Sequence, residues 1–282
     1  MNQIRGFLKR HSLVIGIALM FLLTWPIDLA NSGILPIQVP FAVYIFLGWG
    51  FVVASVAMTG LTLGKVEVIA LLKRYLHWRV GWKWYLAAFG LVPVVWIAAI
   101  TVYSVVTQRP LDFGSSPIYK VVGQSTNTPL LVLPWFLFEI ITNGEEVGWR
   151  GYVLPRLQTR YNALISTLIL GAIWGFWHLP KFLAHFDLIA FAWFMLHCMS
   201  FAVVLTWLYN STQGSLLIVA ICHAASNTTS MFLPVASTLS SENLGSYIGV
   251  VLFELAAAVV VAVIAGPARL TRSREMQTQA EI

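Results

Sequence analysis

Two carboxylates, two imidazoles and a carboxamide lie within apolar stretches of this sequence. An ionisable group at a helix centre in a bilayer costs at least ~2.5 kcal/mol, so it faces a bundle interior or a wet cavity. The first stretch reads Phe138-Glu139-Ile140-Ile141-Thr142-Asn143-Gly144-Glu145-Glu146-Val147-Gly148-Trp149-Arg150-Gly151-Tyr152. Glu146 and Arg150 are four apart and can pair on one helical face. Glu145 points about 100° away from Glu146 on such a helix, so the same cation does not pre-empt it. Gly144, Gly148 and Gly151 leave a thin face that another helix can approach. A second stretch ends Trp174-Gly175-Phe176-Trp177-His178-Leu179-Pro180, with Trp174 one turn before His178 and Pro180 set to end or kink the helix. A third contains His223-Ala224-Ala225-Ser226-Asn227, with His223 and Asn227 at i and i+4.

This set suits amide hydrolysis. A carboxylate can take a proton from water, and a histidine can share that proton and pass it to the leaving amine. A second imidazole and an Asn amide can donate to a tetrahedral oxyanion. Alternatively, Glu145, His178 and His223 could hold Zn²⁺ with one coordination position open to water. Both schemes remain open from the residues alone.

Such groups meet only if separate helices bring them together. Of the 282 residues, 59% are hydrophobic and 10% charged, and mean hydropathy is +0.80. A soluble domain carries about 25% charged residues, so that class is excluded. At ~20 apolar residues per span, eight spans are expected, near 12–31, 37–60, 84–106, 129–157, 163–180, 188–209, 215–236 and 246–266. The fold class is therefore an all-α polytopic membrane bundle of about eight transmembrane helices. The chain divides into N-terminal helices (1–128), a core holding the three motifs (129–236), and a last helix with a polar tail from Arg269 (237–282). The apolar run from Leu13 to Ala30 reads as a retained first helix rather than a cleaved signal. Between spans two and three, Val66, Ile69, Leu72 and Leu76 recur at helical spacing beside Lys65, Lys73, Arg74, Arg79 and Lys83, which predicts an amphipathic interfacial helix over 64–83.

The net charge is +6. The basic residues lie between apolar runs, without a groove-reading motif, so the bilayer and not nucleic acid is the expected partner. With both termini inside, fourteen Lys and Arg fall on the inner side, and only Arg109, Lys120 and Lys181 on the outer. The positive-inside rule then predicts cytoplasmic N- and C-termini in a plasma membrane. Cys198 and Cys222 read as buried free thiols. One tension is visible. At 1.5 Å per residue, His178 lies ~24 Å along span five from Asn162, Glu145 ~18 Å from Leu157, and His223 only ~12 Å from Ser215. Groups that must meet at one depth require tilted helices or shifted boundaries.

The ordered set Glu145-Glu146-x-x-x-Arg150, Trp174-x-x-x-His178 and His223-x-x-x-Asn227 resembles the three motifs of the CAAX protease and bacteriocin-processing (CPBP, or Abi) family, which includes the type II prenyl-protein endopeptidases. Trp149-Arg150-Gly151-Tyr152-Val153-Leu154-Pro155-Arg156 is similar as well. The resemblance covers roughly 129–236. It implies an intramembrane endopeptidase acting on a membrane-associated peptide or protein. Glu145 would activate water, Glu146 and Arg150 would form a structural ion pair, His178 would assist Glu145, and His223 with Asn227 would stabilise the oxyanion. Metal-dependent and metal-free mechanisms have both been argued for the family, so a divalent metal such as zinc stays open. The family usually has Phe where this sequence has Trp174. An aromatic wall is kept, and the difference bears on pocket shape.

Other polar residues carry less. His197 lies mid-span without a partner at helical spacing and reads as a core histidine, while His11, His77 and His185 are placed near surfaces or in a loop. Glu139 is expected to line the same cavity as Glu146. Glu254 has no assigned role, and Asp28 is placed at the interface. Two rival functions remain: a non-catalytic membrane scaffold of the same fold, such as a bacteriocin-immunity protein, and a proton-coupled transporter. The transporter predicts internal repeats, and none is visible.

Overall fold

The computed structural model describes residues 2–123, 125, 127–183, 187–235 and 244–272. Every regular element among them is helical. After α1 (Asn2–Arg10), the chain crosses in α2 (Ser12–Asn31), then turns through α3 (Phe41–Ile45) into α4 (Trp49–Thr62). It continues through α5 (Lys65–Lys73), α6 (Trp82–Thr107), α7 (Ile118–Val122), α8 (Val132–Thr142) and α9 (Leu154–Gln158). The remaining helices are α10 (Ala163–Trp177), α11 (Leu179–Leu183), α12 (Leu188–Ser211), α13 (Leu216–Phe232) and α14 (Gly245–Ala265).

Four helices, α2, α6, α12 and α14, are long and apolar enough to cross a bilayer, with 20, 26, 24 and 21 residues. Four shorter apolar helices, Trp49–Thr62, Thr128–Thr142, Ala163–Trp177 and Leu216–Phe232, fall where the other four spans were expected. The protein is an integral membrane protein of the polytopic all-α class. Many large apolar side chains face outward, with Val105, Val106 and Val263 among the most exposed, while others such as Trp149, Trp177 and Phe51 fill the core.

Three of the four shorter helices carry the polar motifs, and one is broken between its carboxylates. α8 ends at Thr142, and Asn143 is extended (φ −87°, ψ 97°). The Asn143 carboxamide oxygen then accepts the Glu145 N–H at 3.0 Å, capping a second half-helix. That half opens with the π-helical turn Val147–Val153 and runs into α9. The expectation of one continuous helix over 129–157 is thus corrected. The break places Glu145 and Glu146 in the first turn of a new helix, where free N–H groups and the dipole favour carboxylates.

Glycines set the helix spacing. A Cβ on Gly144 would lie 2.6 Å from Val52 Cγ2 and 2.8 Å from the Gly48 carbonyl oxygen. On Gly148 it would meet Phe51, and on Gly171 it would stand 2.9 Å from Met199 Cα. The first two bring α4 against the broken helix, and the third brings α12 against α10. Polar bonds lock further helices together. Trp177 Nε1 donates to Thr24 Oγ1 at 2.7 Å, Trp25 Nε1 to the Trp177 carbonyl at 2.9 Å, and Tyr152 Oη to the Ser12 carbonyl at 2.7 Å.

Four expectations change. The interfacial helix is shorter than 64–83: it comprises α5 and one 3₁₀ turn, Arg74–Leu76, although Val66, Ile69, Leu72 and Leu76 are all exposed on it. Arg150 is fully buried and ion-paired, so it is no loop charge, and the inner basic count falls to thirteen. Asp28 is fully buried rather than interfacial, and neither carboxylate oxygen has a hydrogen-bond partner among the described residues. The tail does not leave the protein at Arg269. The Pro267 and Ala268 carbonyls accept the Leu164 and Ala163 N–H groups at 3.0 Å each, Asn210 Nδ2 donates to the Arg269 carbonyl at 2.7 Å, and Leu270 is buried. The unpaired N–H groups at the start of α10 supply the reason. Arg274 and His185 lie outside the described residues.

Candidate active site

Glu146 anchors the cluster. Its Oε1 is 2.8 Å from Arg150 Nη1 and 2.7 Å from His223 Nδ1, and both carboxylate and guanidinium are fully buried. A charge this deep is tolerated only when paired. The pair from the first motif therefore also holds the third. Four residues along α13, Asn227 Nδ2 donates to Glu139 Oε2 at 2.9 Å. Two rungs, Glu146–His223 and Glu139–Asn227, thus clamp α13 to the broken helix in antiparallel register. Spacing placed Glu139 beside the site; its bond to Asn227 could not be read from one helix alone.

Glu145 makes different contacts. Trp174 Nε1 donates to its Oε2 at 2.9 Å and Trp149 Nε1 to the same oxygen at 3.3 Å. The residue is half-buried, and Oε1 has no hydrogen bond among the described residues. One carboxylate is consumed by structure; its neighbour keeps an oxygen free.

Trp174 links the cluster. Besides its bond to Glu145, its ring lies 5.1 Å from the Arg150 guanidinium carbon and meets the His223 ring edge-on at 5.3 Å. Its carbonyl receives His178 Nδ1 at 3.0 Å. Because a carbonyl only accepts, Nδ1 carries the proton and Nε2 is the second ring site. His178 is buried beside Trp177 and Phe194, with ring centroids at 4.6 and 4.8 Å. The sequence reading gave Trp174 only the role of a wall, but the indole N–H, which Phe lacks, was the signal for more.

The structure therefore brings Glu145, Glu146, Arg150, Trp174 and His223 into direct contact, with Asn227 joined through Glu139. His178, just past the end of α10, is connected to the cluster through the Trp174 carbonyl. Among the described residues, no three His, Cys, Asp or Glu side chains are placed to hold one metal ion. The donor set Glu145, His178 and His223 is not assembled for zinc in this geometry.

A second polar group lies apart. Glu254 accepts from Trp96 Nε1 and from His197 Nδ1, each at 2.7 Å, joining α6, α12 and α14. His197 is thus a satisfied core histidine whose partner sits on another helix, beyond the reach of spacing rules. Cys198 and Cys222 are buried free thiols.

Fold and site together define a polytopic helical membrane protein with a buried carboxylate–imidazole–amide cluster between half-helices. Residues 125–229 match the family model described as type II CAAX prenyl endopeptidase Rce1-like. The chain is also similar to the protein named CAAX prenyl protease 2 of Methanococcus maripaludis. Identity is 25% over 181 residues, covering 60% of this chain and 65% of the relative's length. These matches support a CPBP-family peptidase, the resemblance carried by the three motifs.

Proposed function

We propose that this protein is an intramembrane endopeptidase that cleaves a peptide bond of a membrane-associated protein or peptide. The observation that carries this reading is the unequal use of two adjacent carboxylates. Glu146 is saturated by Arg150 and His223, while Glu145 is held by two indoles on Oε2 with Oε1 left over. A base must be oriented yet retain a lone pair for its proton.

In this mechanism Glu145 Oε1 takes a proton from water, and the hydroxide adds to the scissile carbonyl carbon. His223, its Nδ1 fixed by Glu146, donates from Nε2 in its imidazolium form to the oxyanion. The second amide hydrogen of Asn227 donates alongside it. The carbon–nitrogen bond then breaks. The proton held by Glu145 passes through His178 Nε2 to the leaving amine, which restores the carboxylate. Glu146 and Arg150 remain the structural pair, and Trp174 and Trp149 are positioning residues for Glu145.

The names of the matched family and relative favour a substrate carrying a lipid-modified C-terminal segment. A peptide precursor held at the membrane fits the same site. The reading places the protein in a plasma membrane with both termini cytoplasmic, supported by the thirteen remaining inner basic residues. The test is cleavage of a quenched-fluorescence membrane-peptide library by purified full-length protein, alongside His178→Ala and His223→Ala. Cleavage by wild type that both variants lose supports the peptidase. No cleavage by folded wild type, prenylated peptides included, favours the scaffold.

A further inference from the structure

At the end of the bundle opposite Lys120, a cavity of about 830 Å³ opens between the end of α1, the α4–α5 junction, α9 and the α12–α13 turn. It belongs to none of the chemistry described above. Lys9, Lys73, Arg74 and Arg156 line it, with His77, against the single carboxylate Glu67. Arg74 donates to Tyr209 Oη at 2.7 Å, and Arg156 to the Tyr152 carbonyl at 2.8 Å while lying 3.6 Å over the Tyr152 ring. These bonds fix both guanidinium groups without neutralising them. Among the described residues, neither has a carboxylate within ion-pair distance, and they stand close enough to act on each other's charge. Two oriented guanidinium groups facing one cavity, in excess over acid, form an anion site, and their planar forks suit phosphate. Leu63 also lines the cavity and is half exposed.

We propose that this cavity binds a phosphate-bearing anion, with Arg74 and Arg156 as its principal contacts and Lys9 and Lys73 as supporting charge. The half-exposed Leu63 at the cavity and the exposed apolar side chains Val66, Ile69 and Leu72 of the adjoining α5 make a phospholipid headgroup the fitting source. The site is independent of the peptidase reading.

The experiment is binding to delipidated full-length protein in neutral detergent, by native mass spectrometry and thermal shift. The probes are short-chain phosphatidylglycerol, inorganic phosphate and uncharged short-chain diacylglycerol. The expected result is saturable phosphatidylglycerol binding, weakened tenfold or more in Arg74→Gln/Arg156→Gln and unchanged in Lys120→Gln. Diacylglycerol should not bind. Should the double variant fail to fold, Lys73→Gln, at an exposed position, is expected to weaken binding about fivefold. Inorganic phosphate bound as tightly as phosphatidylglycerol would assign a free anion as the source; phosphatidylglycerol bound at least tenfold more tightly, with phosphate a weak competitor, assigns the headgroup. Phosphatidylglycerol and phosphate binding that are indifferent to Arg74, Arg156 and Lys73 would overturn the proposal.

Discussion

Trp174 shows how one substitution in a motif can add chemistry. An aromatic ring there shields the site, but only an indole also donates to Glu145. Trp174→Phe keeps the wall and removes that donor. A hydrogen bond to a charged group contributes about 1.5–3 kcal/mol, so kcat is expected to fall about tenfold or more, with KM within about twofold. Steady-state kinetics with any cleaved peptide checks this; an unchanged kcat would reduce Trp174 to packing. Glu146 presents the opposite case. Glu146→Gln leaves Arg150 buried without its counter-charge, and breaking such a pair costs about 3–5 kcal/mol. Detergent melting should show a large loss, and Glu146→Gln/Arg150→Met should recover part of it. If the double variant is no more stable than Glu146→Gln, the pair is not what limits stability.

At the scale of elements, the break at Asn143–Gly144 sets the site. Residues 129–157 read as one span because apolar content and length suggest a helix, while the pair Asn143-Gly144 looks like part of it. What stops the helix is partly local, because Asn143 caps the restart two residues on, and partly tertiary, because Gly144 packs on the Gly48 backbone. Gly144→Ala should therefore destabilise the protein by about 1–3 kcal/mol through overpacking. Gly60→Ala, whose new methyl would meet nothing nearer than 3.6 Å, should be tolerated. Equal melting temperatures for the two would contradict this packing account. The same distinction explains what was legible. Pairs within one helix, such as Glu146–Arg150, follow from spacing. Glu146–His223, Glu139–Asn227 and His197–Glu254 join different helices, and spacing carries no information about which helices become neighbours. The burial of Asp28 is illegible for the same reason: a position near a span end says nothing of the packing around it.

For the whole molecule, α2, α6, α12 and α14 are long and apolar enough to span the bilayer, while three of the four shorter apolar helices carry the motif residues. The eight-span order puts Lys9 and Lys73 on one side and Lys120 on the other. Lys9→Cys and Lys120→Cys, labelled in intact cells with an impermeant maleimide, test this. Label on Lys120→Cys only, with the buried Cys198 and Cys222 silent, is the expected pattern. Label on Lys9→Cys would invert the topology.

The central claim is that Glu145, and not its neighbour, activates the water. The most direct measurement is single-turnover cleavage of one identified peptide by wild type and Glu145→Gln, with matched melting curves. The account predicts a rate loss of about 10²–10⁴-fold with the melting temperature retained, because Glu145 accepts bonds that Gln can still accept. Near-wild-type cleavage by Glu145→Gln would contradict it.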